Sequence, residues 1–219
     1  LGCVAAILPA LWERRVRPLY LYGKAYNWKY PVICIGEKSK QLIEGIRNPI
    51  PLRPGSPAKY DYEYKRNGTR NIFVAVEPKG GRRIITVTNT RTKEDFAKFV
   101  KNIVVNEYKQ AVKIRIVLDN LNTHFEKSIY ETFSEKEAKK ILSKINFYYT
   151  PKHGSWLNIA EIEINVMGKE SLGGKIGNEA LLKKQLKSWT KERNKLQKKI
   201  IWKFAKKRAD KKLSKYYAP

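Results

Sequence analysis

An α/β layer architecture built on one mixed sheet is what this sequence predicts, and three observations predict it. Strand patterns between residues 60 and 88 are joined by glycine turns, which gives an antiparallel meander. Beyond residue 90 helix and strand patterns alternate, which gives parallel strands joined by helices. Each long helix pattern carries one apolar stripe, so the helices flank the sheet.

The elements follow in order. Residues 1–24 read as an N-terminal remnant and linker, and residues 25–219 as the domain proper. Pro31-Val32-Ile33-Cys34-Ile35 is a short, fully apolar strand. Pro49, Pro51, Pro54 and Pro57 exclude regular structure over 47–57. Tyr60, Tyr62 and Tyr64 alternate with Asp61, Glu63 and Lys65, the pattern of a half-buried strand. Asn67-Gly68 reads as a hairpin turn into the strand Asn71–Val76, and Gly80-Gly81 as a second turn into Arg83–Thr88. Thr92 and Asp95 form a capping box ahead of Phe96, Phe99, Val100, Ile103 and Val104 at helical spacing. Val112–Leu118 is a strand ending at Asp119. A polar helical segment over 125–145 has Ala138, Ile141, Leu142 and Ile145 as its apolar face, and Phe147-Tyr148-Tyr149 is a short strand. Residues 158–170 and 178–200 are helical, the last with the stripe Leu182, Leu186, Trp189, Leu196 and Ile200.

Composition narrows the partners. The chain is long enough for one sizeable core, at 219 residues. Its 46 Lys and Arg against 20 Asp and Glu give a net charge of +26, which points to a polyanion, nucleic acid before membrane. Residues 183–217 hold fifteen Lys and Arg against Glu192 and Asp210, a net +13 interleaved with Trp189, Trp202, Phe204, Tyr216 and Tyr217. Lys183, Lys184 and Lys187 are therefore candidates to follow a phosphate backbone. The plainer reading is a solvated helix face whose aromatics pack on the sheet, and both are expected together. No base-reading helix is evident, so binding is expected to be weakly specific. No apolar run is long enough for a membrane span. Residues 1–11 lack a starting Met and a basic leader, so they are not read as a signal peptide, and the chain reads as cut from something longer. Cys3 and Cys34 make no disulfide framework and no zinc motif, which leaves a reducing cytoplasm as the expected location.

Two carboxylate-bearing stretches carry the chemistry. Ile116-Val117-Leu118-Asp119-Asn120-Leu121-Asn122-Thr123-His124 places Asp119 where an apolar strand ends. Tyr149-Thr150-Pro151-Lys152-His153-Gly154-Ser155-Trp156-Leu157-Asn158-Ile159-Ala160-Glu161-Ile162-Glu163 places Glu161 and Glu163 at the start of a helix. Carboxylates converging from different elements are what a divalent-metal phosphodiesterase needs. Alone, Asp119 reads equally as a turn cap, and each glutamate as a solvated helix residue. Residues two apart do not share a helix face, so at most one glutamate points at a metal. Lys152 and His153 precede that helix and are placed to approach a scissile phosphate or a DNA strand; His153 as an ordinary loop residue is the alternative. His124 reads as a surface residue at a helix start or as orienting the site. Trp156 reads as packing under its loop.

The two stretches together resemble the catalytic domain of DDE transposases, the mariner superfamily and its bacterial insertion-sequence branch in particular. Pro57-Ala58-Lys59-Tyr60-Asp61-Tyr62-Glu63-Tyr64-Lys65-Arg66-Asn67-Gly68-Thr69 and Trp189…Glu192-Arg193-Asn194 extend the resemblance from about Tyr20 to the C-terminus. The resemblance implies an RNase H-like fold and a DNA-cutting and strand-transferring activity in transposition. It implies a two-metal site for Mg²⁺ or Mn²⁺ in the intact family, with Asp119 as second and Glu161 as third metal carboxylate and Glu163 as runner-up. It implies transposon ends and target DNA as partners, a homodimer acting on paired ends, an upstream DNA-binding domain absent from this chain, and a prokaryotic, nucleoid-associated location. The family's first carboxylate lies in a strand reading Val-x-Cys-Leu-Asp-Glu-Lys; here Val32-Ile33-Cys34-Ile35-Gly36-Glu37-Lys38 puts Gly36 at the Asp position. The resemblance therefore implies an impaired enzyme. Glu37 rescues the site only if a bulge turns it, because neighbouring strand residues face opposite ways. A non-catalytic DNA-binding remnant is the second reading. An unrelated basic RNA-binding protein is a third, which leaves the carboxylates without a purpose.

Overall fold

Alternation along the strands decides which helical layer each residue joins. The computed structural model describes residues 18–47, 50–59, 62–119, 126–150 and 154–202. Its sheet contains β1 (Val32–Gly45), β2 (Tyr64–Glu77), β3 (Arg82–Thr88), β4 (Ile114–Leu118) and β5 (Ile145–Tyr149), in the order β3-β2-β1-β4-β5. β1, β2 and β3 pair antiparallel, and β4 and β5 are added in parallel. The helices are α1 (residues 18–23), α2 (Lys93–Asn102), α3 (Glu126–Thr132), α4 (Glu135–Leu142), α5 (Ala160–Glu170) and α6 (Glu179–Lys195). Cys34, Val74 and Val117 face α1, α5 and α6, against Leu21, Met167 and Leu186. Ile33, Ile35, Phe73 and Ile116 face the other way, against Phe96 and Val100 of α2 and Ile141 of α4. Adjacent strand residues thus serve opposite cores, and each fully buried aliphatic contributes about 1.5–3 kcal/mol.

Several elements differ from the sequence reading, each for a physical reason. β1 runs on past its apolar start to Gly45, because Lys38, Ser39, Lys40 and Gln41 pair with β2 although they carry no apolar side chains. Asn67-Gly68 is no hairpin turn. Between the pairs Gln41↔Thr69 and Ile43↔Arg66, β2 carries one residue more than β1, and Gly68 takes a φ of +86°. This is a β-bulge, which uses the same left-handed glycine that a turn would. Tyr62 is 94% exposed and lies before β2, so the expected half-burial is not found there; Tyr60 and Asp61 lie outside the described residues. The polar stretch 126–142 is two helices, because Ser134 caps α4 by accepting from Glu137 N, and Ile145 begins β5 instead of ending a helix. The last helix stops at Lys195, leaving Leu196 55% exposed. Residues 18–23, read as linker, form α1 and bury Leu19, Leu21 and Tyr22 in the α5–α6 core. The capping box stands as read: Thr92 accepts from Asp95 N, and Asp95 from Thr92 N.

At the end of β2 a buried carboxyl, Glu77, accepts from Tyr108 Oη at 3.0 Å. Burial pushes its pKa above the usual carboxylate value, against the opposing pull of Tyr108, Tyr26 and Arg82. A raised native pKa means that the native state binds this proton more tightly than the unfolded chain. The stabilisation is complete below the ordinary value of 4.5 and is lost as pH rises through the native value. Glu77→Gln is therefore expected to be more stable than the parent at pH ~7, with the difference closing below pH ~4.5. Denaturant midpoints across that range measure it; equal midpoints at neutral pH would show that Glu77 ionises without penalty.

Candidate active site

The site begins with how α5 is hung on the sheet. Asn158, fully buried, donates from Nδ2 to Ile35 O at 2.7 Å and accepts from Ala160 N at 3.1 Å. One amide thus fixes the first turn of α5 to the residue before Gly36. Ser155–Leu157 form a single 3₁₀ turn ahead of it, and Leu157 O accepts from Tyr22 Oη at 2.9 Å. Trp156 packs against the same core.

Glu161 sits in the first turn of α5, where the helix dipole favours an anion. It is half-buried, and its pKa is raised, first by that burial and then by the Asp119 carboxylate; the Lys38 ammonium opposes both. Asp119, half-buried, follows directly on the last residue of β4. The structure thus brings Asp119, Glu161 and Lys38 into one electrostatic neighbourhood at the α5 side of the sheet.

Gly36 is the floor of this site. A Cβ built on it lies 3.6 Å from Glu161 Oε1, 3.2 Å from Ala160 Cβ and 2.9 Å from Ile164 Cδ1. A carboxylate at position 36 would stand beside Glu161, with Ile164 now filling part of its space. Glu37 does not replace it. The β1–β2 register is unbroken from Cys34 to Gln41, so no bulge re-aims Glu37. It shares a face with Phe73, on the α2 side, and pairs with Arg91 at 3.5 Å and Asn71 at 3.4 Å. Among the described residues, no three His, Cys, Asp or Glu side chains come together to hold a metal ion. Asp119 and Glu161 suit one oxygen-liganded divalent ion; they do not supply the three carboxylates of a two-metal centre.

Glu163 takes a different role. It is 1% exposed and accepts from Arg83 Nε at 2.9 Å and Arg83 Nη2 at 3.0 Å. Arg193 Nε lies 2.9 Å from its Oε1, and Arg193 also reaches Glu170, which accepts from Trp189 Nε1 at 2.7 Å. Asn194 Oδ1 accepts from Arg83 N at 2.7 Å, and its Nδ2 donates to Arg83 O at 2.9 Å. The Trp189…Arg193-Asn194 motif therefore ties α6 to α5 and to β3. The sequence reading missed Arg83 and Lys38 as partners of these glutamates. An arginine one residue into a strand, next to the apolar Ile84 and Ile85, was the sign available for the first. Lys183, Lys184 and Lys187 are exposed on α6, and Lys183 and Lys187 line a groove with Ile85, Thr86 and Val87 of β3. His124, Lys152 and His153 lie outside the described residues.

An α/β domain with strand order β3-β2-β1-β4-β5, and acidic residues at the end of β4 and the start of α5, defines an RNase H-like class. The sequence profile of the DDE superfamily endonucleases matches residues 31–183, and the chain belongs to that family. Among solved structures it is similar to the mariner Mos1 paired end complex with Mg, with a TM-score of 0.54 at 15% identity over 95% of this chain and 62% of that one. The Mos1 strand transfer complex gives 0.53 at 15% identity over 83% and 54%. The Mos1 paired end complex with Mn gives 0.53 at 15% over 86% and 57%. The chain thus spans between 54% and 62% of those proteins' length, and the likeness is one of fold. No curated protein compared with it matches.

Proposed function

We propose that this chain is a transposase catalytic domain whose cutting activity is impaired while its hold on DNA is retained. The observation that carries the reading is Gly36: it lies beside Glu161, and a Cβ there would sit 3.6 Å from Glu161 Oε1. The ancestral reaction is metal-dependent cleavage of transposon ends and joining to target DNA. Asp119 and Glu161 are the remaining ligands for Mg²⁺ or Mn²⁺, which would supply Lewis-acid activation of the phosphodiester when bound. Lys38 partly offsets the charge of Glu161. That the solved relatives are paired-end and strand-transfer complexes, with Mg and with Mn, supports DNA and divalent metal as partners; the pairing of two copies is proposed from the family resemblance. The location proposed is the cytoplasm of a prokaryotic cell, at the nucleoid.

The net charge of +26 supports the retained DNA binding. Duplex binding is expected to be weakly specific and to fall roughly 10³-fold or more between 50 and 200 mM salt if at least ~6 phosphates are engaged. Fluorescence anisotropy with duplexes of unrelated sequence measures both properties. A sharp preference for one duplex, or for RNA over DNA, overturns this part of the reading. Metal-dependent plasmid nicking by the chain and by Gly36→Asp tests the impairment.

A further inference from the structure

We propose that the groove between β3 and α6 receives an extended, acidic segment of a partner protein, which pairs with β3 as a sixth strand. The proposal stands independently of the catalytic reading.

Among the described residues β3 is the end strand of the sheet, and one of its edges has no neighbouring strand. Arg83 shows which residues face that edge. Its N–H and its C=O both bond to the Asn194 side chain, so both point away from β2. In an antiparallel ladder such residues alternate with those that bond inward. The β2–β3 register is continuous from Arg82 to Thr88. Ile85 and Val87 therefore also direct N–H and C=O outward. At Arg83 an asparagine side chain already imitates the next strand; beyond it no strand among the described residues covers the edge.

The open stretch borders a groove of about 610 Å³ lined by Ile85, Thr86, Val87, Leu186 and a row of lysines on α6. Lys183, Lys187 and Lys191 recur every fourth residue, so they share one helix face, and all three are exposed. Lys183 is shared with Glu179 at 2.6 Å, an exposed pair of small worth. Ile85 and Val87 pack their side chains towards α6, so a strand added at this edge directs every second side chain at the lysines.

That geometry selects the occupant. An open strand edge offers donors and acceptors in alternation, and an extended peptide backbone answers both along its whole length. A phosphodiester backbone accepts but does not donate, and would leave the outward carbonyls of Ile85 and Val87 unmet. The lysine row asks for acids on the added strand. The chain's own ends do not fit: residues 203–217 hold seven Lys and Arg against Asp210, and residues 1–17 hold three Arg against Glu13.

The test uses the isotope-labelled chain and a short capped peptide of alternating Glu and Val, with amide exchange followed residue by residue by NMR. The peptide is expected to slow exchange at Ile85 and Val87 at least ~10-fold while leaving Ile84 and Thr86, already bonded to β2, unchanged. The same peptide N-methylated at every backbone nitrogen, and a Lys-Val peptide, are expected to have no effect. Replacing Lys183, Lys187 and Lys191 together by glutamine is expected to weaken binding about tenfold through the loss of three screened pairs. Lack of protection at millimolar peptide overturns the proposal, as does equal protection by the N-methylated form. Displacement of the peptide by duplex DNA with no protection of Ile85 and Val87 assigns the groove to nucleic acid. Protection that rises with chain concentration alone assigns it to a second copy; either result overturns the proposal as stated.

Discussion

Gly36→Asp is expected to raise Mg²⁺- or Mn²⁺-dependent plasmid nicking at least ~100-fold over the parent, since removing even a supporting residue of a metal site costs 10–100-fold. The geometry says why one substitution suffices. The Cβ position at residue 36 lies 3.6 Å from Glu161 Oε1, so the new carboxylate is delivered directly to the existing pair. Its obstacle is Ile164 Cδ1 at 2.9 Å, the free end of a side chain that can rotate; Ala160 Cβ at 3.2 Å must yield by a few tenths of an ångström. The overpacking costs about 1–3 kcal/mol, and three facing carboxylates add repulsion. Without metal, Gly36→Asp should therefore melt below the parent. With Mg²⁺ it should recover, because an ion that binds only the folded form stabilises it, while the parent should shift little. Asp119→Ala in the Gly36→Asp chain should abolish nicking. Parent and Gly36→Asp cutting equally well would show that another acid completes the site, and Glu37, held on the α2 side with Arg91 and Asn71, is a poor candidate for it.

The second large effect separates two glutamates that sit two residues apart. Glu163→Ala is expected to cost 3–5 kcal/mol, the usual result of stripping one partner from a buried ion pair. Arg83, whose side chain is fully buried, would be left with a charge and no carboxylate, and Arg193 beside it would repel it. Glu161→Gln, in contrast, removes a carboxylate that burial and Asp119 both disfavour, and should leave the denaturation midpoint unchanged or raised. Chemical denaturation of both variants measures this. If Glu163→Ala unfolds no more easily than Glu161→Gln, the buried network with Arg83 and Arg193 does not hold α5, α6 and β3 together.

Much of this architecture is legible in the chain itself. The meander, the capping box at Thr92 and the parallel addition of β4 and β5 follow from periods and caps that act locally. What eluded the sequence depends on non-local pairing. Gly68 needs a left-handed φ in a turn and in a bulge alike, so the residue does not say which; the partner strand decides. Residues 38–41 carry no strand pattern and become strand because β2 lies beside them. Ser134 divides a stretch that reads as one polar helix over 125–145. For the site, the positions of Asp119 and Glu161 are legible because each sits at the boundary of an element. The choice between Glu161 and Glu163 is only half legible: helical spacing says that they diverge, but the arginine that claims Glu163 lies eighty residues away in sequence. The missing carboxylate at Gly36 is legible through the resemblance alone.

Asn158 gives the proposed loss an evolutionary reading. Its bonds to Ile35 and Ala160 hold α5 against β1 without help from any acidic side chain. The frame of the site is therefore insured separately from its contents, and a lineage that drops the first carboxylate keeps the backbone frame that held it. Glycine and aspartate codons can differ by a single base. A silenced copy of such a gene, drifting in a genome beside active ones, would be one point mutation from waking for as long as Asn158 survives.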